Sequence, residues 1–308
     1  MLDYQSKRFL VHAWELKGYV KVDKKIRDTI RECFRRHYGA LYKAEEILRV
    51  SESHHRLLHK RFVSTKVLFR LAKYAKVDFI KVEKHIEKWS DSPYQKYIYD
   101  VKFPIKMTPL YLRVASHVIG DGTASKTGKY TQYIWTQKSV YPMKQLQRAL
   151  LGKHLKAKIK EGAQDIEIPK FIMKVVCTRL KLDVDKFQPL LFLKSVSSLP
   201  HDFRLEALTA IIEDEGTIEK TRIVIRMKDK EILKAIASII DSLDYERSEV
   251  TSYGEKSRWT GKSFKMHRIT ILALGSRKYK SDIEFVEKTY GKLSSLWKKH
   301  KKLKMITI

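Results

Sequence analysis

The sequence predicts an α+β chain in three parts: a helical segment over residues 1–105, then two copies of one mixed unit over 106–199 and 200–308. Three observations point there. Residues 1 to about 90 hold few glycines and carry apolar stripes at helical spacing. From about residue 106, helices alternate with short strands. The order helix, hairpin, helix, hairpin, helix then runs twice, and each pass begins with an apolar helix tipped by an acid. A repeat present only twice suggests a pseudo-two-fold body rather than a solenoid.

In the helical segment, LYKAEEIL (41–48) reads as a short amphipathic helix, followed by a turn at Val50-Ser51 and a basic helix, SHHRLLHK (53–60). Ser64 is placed to cap STKVLFRLAKYA, and Asp78 to cap DFIKVEKHIEKW. Residues 90–109 contain three prolines and no clean helical period, so they read as a linker. In the first repeat Thr108 caps a helix with Pro109 at its first position, running to Gly120. A hairpin over TASKTGKYTQYIWTQK, a helix over YPMKQLQRALLGK and a lysine-alternating strand, KAKIK, follow, with helical segments to about Leu199. The second repeat has a helix to Glu215, a shorter hairpin, a helix over DKEILKAIASIIDSL, strands near 246–253 and 264–274, and closing helices.

The net charge is +29, divided as +11 over residues 1–105 and +18 over the remainder. A field of that sign attracts polyanions, nucleic acid first among them. Two distant cysteines, Cys33 and Cys177, exclude a disulfide framework and a cysteine zinc site. No apolar run reaches the roughly 18 residues of a membrane span, and the N-terminus lacks the pattern of a secretory signal. The expectation is a cytoplasmic protein with no membrane partner.

Against this basic background stand VASHVIGDG (114–122) and LTAIIEDEG (208–216). Asp121 and Glu215 end their helices in the same register, 94 residues apart, each before a glycine that lets the chain turn into a strand. Ser116 and Ala210, each five residues before an acid, are small enough for close approach of the two helices. Two carboxylates brought together repel, and a hard divalent cation such as Mg²⁺ relieves that repulsion through oxygen ligands. Such a metal can promote hydrolysis of a phosphodiester.

These residues resemble the LAGLIDADG homing endonuclease family, with the acid at the eighth position of each copy. The resemblance covers about residues 106–308. It implies two αββαββα repeats forming a saddle of antiparallel strands over double-stranded DNA, in a monomer with internal two-fold symmetry. It also implies Mg²⁺ held by Asp121 and Glu215, with Gly120 and Asp214 beside them, and one strand cut per repeat. YIWTQK looks like the family's strand end that carries a water-orienting glutamine, which points to Gln137. FQPLLFLK (187–194) resembles the segment with an active-site lysine, which points to Lys194. The chain departs from the pattern at His117, at Ile119 against Glu213, and at Met227, which stands where Gln137 stands in the first repeat. Lys301 or Lys302 is the nearest choice for a second lysine.

Strand alternation turns Thr131, Tyr133 and Trp135 inward and leaves Tyr130, Gln132 and Thr136 for DNA. Lys156, Lys158 and Lys160 share one face, as do Arg222 and Arg226, while Ile223 and Ile225 pack inward. A two-stranded ribbon of this kind fits the major groove. The N-terminal pattern looks like an all-α helix-turn-helix module, with Ser53, His54, His55 and Arg56 at the start of its recognition helix. The histidines there lack a carboxylate or cysteine partner at metal-binding spacing. Two rival readings use the same body: a DNA-binding transcriptional regulator that does not cut, and an RNA-splicing maturase with RNA as partner.

Overall fold

The computed structural model describes residues 9–40, 42–43, 46, 62–92, 98–127, 130–151, 155, 157–160, 162, 164–256, 260–290, 303 and 306. The chain divides into two compact units, Met1–Met107 and Thr108–Ile308. Among the described residues no helix is long and apolar enough to cross a membrane.

The first unit is not all-α. Strands β2 (Tyr19–Val22), β3 (Val63–Ser64), β4 (Ile86–Ser90) and β5 (Ile98–Tyr99) form a sheet in the order β3-β2-β4-β5. A second, two-stranded sheet pairs β1 (Leu10–Val11) with β6 (Ile105–Lys106). Helices α1 (Lys24–Tyr38), α2 (Thr65–Tyr74) and α3 (Phe79–Lys84) accompany them. Ser64 caps α2 through Val67 N at 3.2 Å, and Asp78 caps α3 through Ile80 N at 3.1 Å. The expected helix over 79–89 stops at Lys84, because Ile86–Ser90 pairs with β2. Val82, Ile86 and Trp89 have helical spacing, and all three are buried. The last two reach the core as strand residues, since pairing with a distant strand leaves no mark in a local period. For the same reason the expected linker over 90–109 contains β5 and β6. The recognition-helix candidates Ser53, His54, His55 and Arg56 lie outside the described residues.

The second unit is a mixed α/β body with two four-stranded antiparallel sheets. The first contains β7 (Gly122–Thr127), β8 (Tyr130–Thr136), β9 (Ile159–Lys160) and β10 (Asp165–Glu167), in the order β7-β8-β10-β9. The other contains β11 (Gly216–Ile218), β12 (Ile223–Met227), β13 (Thr251–Lys256) and β14 (Ser263–Ile271), in the order β11-β12-β14-β13. Both orders read first, second, fourth, third. The three-residue β10 is too short to show alternation in the sequence, and KAKIK contributes only its last two residues to β9.

The helices of this unit are α4 (Pro109–Ser116), α5 (Val140–Leu151), α6 (Lys170–Leu180), α7 (Pro189–Val196), α8 (His201–Glu215), α9 (Lys230–Ser242) and α10 (Ala273–Tyr290). Thr108 caps α4 through Tyr111 N, with Pro109 at the first position. The helix ends one turn before Gly120: Val118 N and Ile119 N bond back three residues, to Ala115 O and Ser116 O. This tightening of the last turn is a common way to satisfy terminal carbonyls.

Helices α4 and α8 pack against each other at the centre of the unit. Ser116 and Ala210 are both fully buried. Ser116 Oγ turns back to Leu112 O at 2.8 Å and Thr209 Oγ1 to Leu205 O at 2.7 Å, so their hydroxyls enter the core already bonded.

Candidate active site

The site is built where α4 and α8 end and the first strand of each sheet begins. In the first sheet Gly122 pairs with Trp135. Asp121 therefore stands opposite Thr136, whose N–H donates to Asp121 O at 3.2 Å, and Gln137 is the next residue. In the second sheet Gly216 pairs with Ile225. Glu215 then stands opposite Arg226, with Met227 next. The register puts Gln137 and Met227 at the same offset from their acids.

Gln137 joins the ends of the two helices. Its Nε2 donates to Asp121 Oδ2 at 2.8 Å and to Asp214 Oδ1 at 3.3 Å. Two carboxylate partners fix the amide orientation, because the amide oxygen has no proton to give them. Gln137 is 2% exposed, and its Oε1 accepts no hydrogen bond. A buried acceptor left open in this way calls for a donor or a cation. Asp121 itself is exposed and Glu215 half-buried.

Asp214 was expected as a metal-holding residue beside Glu215. Its carboxylate instead accepts from three side chains, and its exposure is 0%. Trp135 Nε1 donates to Oδ1 at 3.0 Å alongside Gln137, and His117 Nδ1 lies 2.9 Å from Oδ2. The His117 and Trp135 rings overlap with centroids 4.0 Å apart. Gly120 leaves room for this arrangement: a Cβ there would lie 2.5 Å from Asp214 Cβ. Beneath the clamp, Arg113 is fully buried, with Nη1 3.1 Å from Glu206 Oε2 and Nη2 3.2 Å from Glu213 Oε2. Burial alone would lower the guanidinium pKa, but the two carboxylates outweigh it and the net shift is upward. The sequence signalled this cluster only through His117, where the motif has a large apolar residue, and through the contrast of Glu213 with Ile119.

Lys194 lies exposed on α7 and lines a groove with Leu190 and Ser197 of its own segment and Glu231 and Lys234 of α9. The register singles out two other lysines that sequence reading passed over. Lys138 and Lys228 directly follow Gln137 and Met227, and both are exposed. Lys301 and Lys302 are outside the described residues.

Thr131, Tyr133 and Trp135 are buried, as alternation predicts. On the opposite face of the first sheet are Gln132, Ile134, Thr136 and Lys160, with Lys158 exposed just before β9. Tyr130 opens β8, and Lys156 falls outside the described residues. Two acids share that face. Asp165 accepts from Thr136 Oγ1 at 2.7 Å, and Glu167 pairs in register with Ile134. The second sheet differs. Arg222 precedes β12 and bonds Glu219 in the turn, so it is not the strand partner of Arg226; Val224, between them, is buried. Arg226 is paired in register with Arg268, whose outward face the alternation of SFKMHRITI would have revealed. Arg226 Nη1 bonds Thr217 Oγ1 at 3.3 Å and Arg268 Nε bonds Thr251 Oγ1 at 3.2 Å, which aims two guanidinium groups from one row of the sheet.

Among the described residues no group of three or more His, Cys, Asp or Glu side chains is arranged to hold a metal ion. Magnesium needs no such cage, since it keeps several waters and commonly takes one or two carboxylates together with substrate phosphate.

No family model and no curated protein matches the chain. Solved structures with some likeness include mesophilic variants of the homing endonuclease I-DmoI, at 17% identity and a TM-score of 0.39, covering 56% of this chain and 88% of that one. I-DmoI in complex with DNA and Ca is 16% identical with a TM-score of 0.38, over 58% and 88% of the two chains. I-DmoI in complex with DNA and Mn is 17% identical with a TM-score of 0.37, over 58% and 94%. The structural neighbours are thus homing endonucleases at low identity and partial coverage.

Proposed function

We propose that the protein is a sequence-specific, divalent-metal-dependent DNA endonuclease of the LAGLIDADG homing type, hydrolysing one phosphodiester in each strand of a duplex. The observation that carries this reading is Gln137, which ties Asp121 to the end of α8 and leaves a buried acceptor, Oε1, open beside the exposed carboxylate. The two αββαββα repeats then form a saddle, with the open faces of both sheets toward DNA.

The donor set suits a hard divalent cation. Asp121 and Glu215 are the carboxylates that would each hold one such ion, with the main chain at Gly120 and Asp214 next to them. When bound, it would stabilise negative charge at the scissile phosphate. The chain's own groups do the rest. Gln137 Oε1 accepts a hydrogen bond from the attacking water and orients it, while Nε2 keeps Asp121 in place. Lys138 and Lys228 offer positive charge at equivalent points, where phosphate oxygens gain charge during the reaction. Gln132, Thr136, Lys158 and Lys160 on one sheet, and Arg226 with Arg268 on the other, contact base edges and phosphates. The N-terminal unit adds affinity through a tethered second contact.

Duplex libraries, genomic and randomised, incubated with the protein and Mg²⁺ or Mn²⁺ and then sequenced for new ends, test this. Recurrent ends should appear, and vanish with EDTA and in the Asp121→Asn/Glu215→Gln variant. Specific sequences enriched by binding without any cut would replace the reading with a non-cleaving regulator.

A further inference from the structure

The two acids sit at equivalent points of equivalent strands, but their surroundings are not equivalent. The clamp around Asp214 has four members, His117, Asp214, Trp135 and Gln137, joined by hydrogen bonds of 2.9–3.3 Å. Motif position and strand register give each one a counterpart in the other repeat. His117 corresponds to Ile211, Trp135 to Ile225, Gln137 to Met227, and Asp214 to Gly120. Every counterpart is apolar or lacks a side chain. Ile211 and Ile225 are fully buried and Met227 nearly so. Asp214 comes from the second helix, yet it holds the glutamine of the first repeat. Gly120 cannot return that service, because any side chain there would collide with Asp214.

A thioether does not do what an amide does. Met227 has no donor for Glu215 and only a weak acceptor for water. The amide that would pre-align water therefore stands at Asp121, and a thioether stands at the corresponding point of the Glu215 repeat. The open sheet faces are unequal in the opposite sense: acids accompany the lysines of the first, while the second carries the Arg226–Arg268 pair.

We infer that the repeats divide the work: the Asp121 repeat cuts its strand fast, the Glu215 repeat cuts slowly and chiefly grips DNA, and a duplex nicked in one fixed strand accumulates before the second cut. The inference rests on the endonuclease reading above. In each cut, water's oxygen bonds to phosphorus, the bond from phosphorus to one ester oxygen breaks, and that oxygen gains a proton. No oxidant or other co-reactant is required.

The test uses the full chain on a supercoiled plasmid carrying its selected target, with each strand end-labelled in parallel duplexes. Nicked circles should accumulate at least tenfold faster than linear product, with the nick always in one strand. Gln137→Met and Asp121→Asn should abolish that nick, and Met227→Gln should speed the second cut. A readout independent of cutting is Mn²⁺ titration, followed by electron paramagnetic resonance, on a target with non-hydrolysable linkages at both scissile positions. One Mn²⁺ should bind at least tenfold more tightly than the other and be lost in Asp121→Asn only. Equal cutting rates on the two strands, equal Mn²⁺ affinities, or a first nick that survives Gln137→Met would overturn the division of labour and leave the endonuclease reading standing. No cutting of either strand would overturn both.

Discussion

The sheets β7–β10 and β11–β14 share one strand order, and Asp121 and Glu215 enter them at the same register. The side chains at corresponding positions nevertheless have opposite character. In one half an amide, an indole N–H and an imidazole gather on Asp214; in the other the corresponding positions hold Ile211, Ile225 and Met227. The comparison teaches that a shared strand order and register fix where an acid sits, while a few side chains on the helices and strands decide what stands at the neighbouring positions. It also shows that the asymmetry is buried. Ionised and amide groups are costly in a core unless paired, so this one-sided clamp is a structural commitment and not a tolerated accident of the surface.

The comparison can be broken most sharply at Arg113, which ties the clamp's foundation to α8. Arg113→Met removes the guanidinium shared by two buried carboxylates and should destabilise the second unit by about 3–5 kcal/mol. Urea unfolding measures it. Exchanging Arg113, Glu206 and Glu213 together for leucine or methionine should recover most of the loss. If the single and triple variants are equally damaged, the cluster is not acting as an ion-pair unit.

A smaller effect is expected where the helices touch. Gly120→Ala places a methyl 2.5 Å from Asp214 Cβ, and overpacking of this kind costs about 1–3 kcal/mol. Adding Asp214→Gly should relieve the collision, so the pair should be strongly non-additive in a double-mutant cycle. Additive losses would mean that the close approach is not what requires glycine.

The least expected change sharpens the contrast between the repeats. Trp135→Phe deletes one donor to a buried carboxylate that keeps two others, at a cost of about 2 kcal/mol. Its counterpart Ile225→Val removes only packing, at about 1 kcal/mol. The two should also differ in kind. Only Trp135→Phe should alter the chemical shifts of the Gln137 side-chain amide protons by NMR; an equal response to Ile225→Val would place the amide outside the clamp.

The sequence by itself determined the doubled helix-and-hairpin order, the acid at the end of α8, the small buried residues Ser116 and Ala210, the caps at Ser64, Asp78 and Thr108, and the inward set Thr131, Tyr133 and Trp135. All of these rest on local periods, short-range hydrogen bonds or motif spacing, which act within a few residues. Only the tertiary structure decided the remainder. It turned the N-terminal unit from all-α to sheet-containing, because Ile86–Ser90 finds its partner more than sixty residues away in β2. It placed Arg268 beside Arg226 and Asp165 beside Thr136 through strand register. It also drew Asp214 away from its neighbour Glu215 and into the service of Gln137, 77 residues distant. A carboxylate's partners are whatever the packed helices bring within 3 Å, and that distance is fixed by the whole fold.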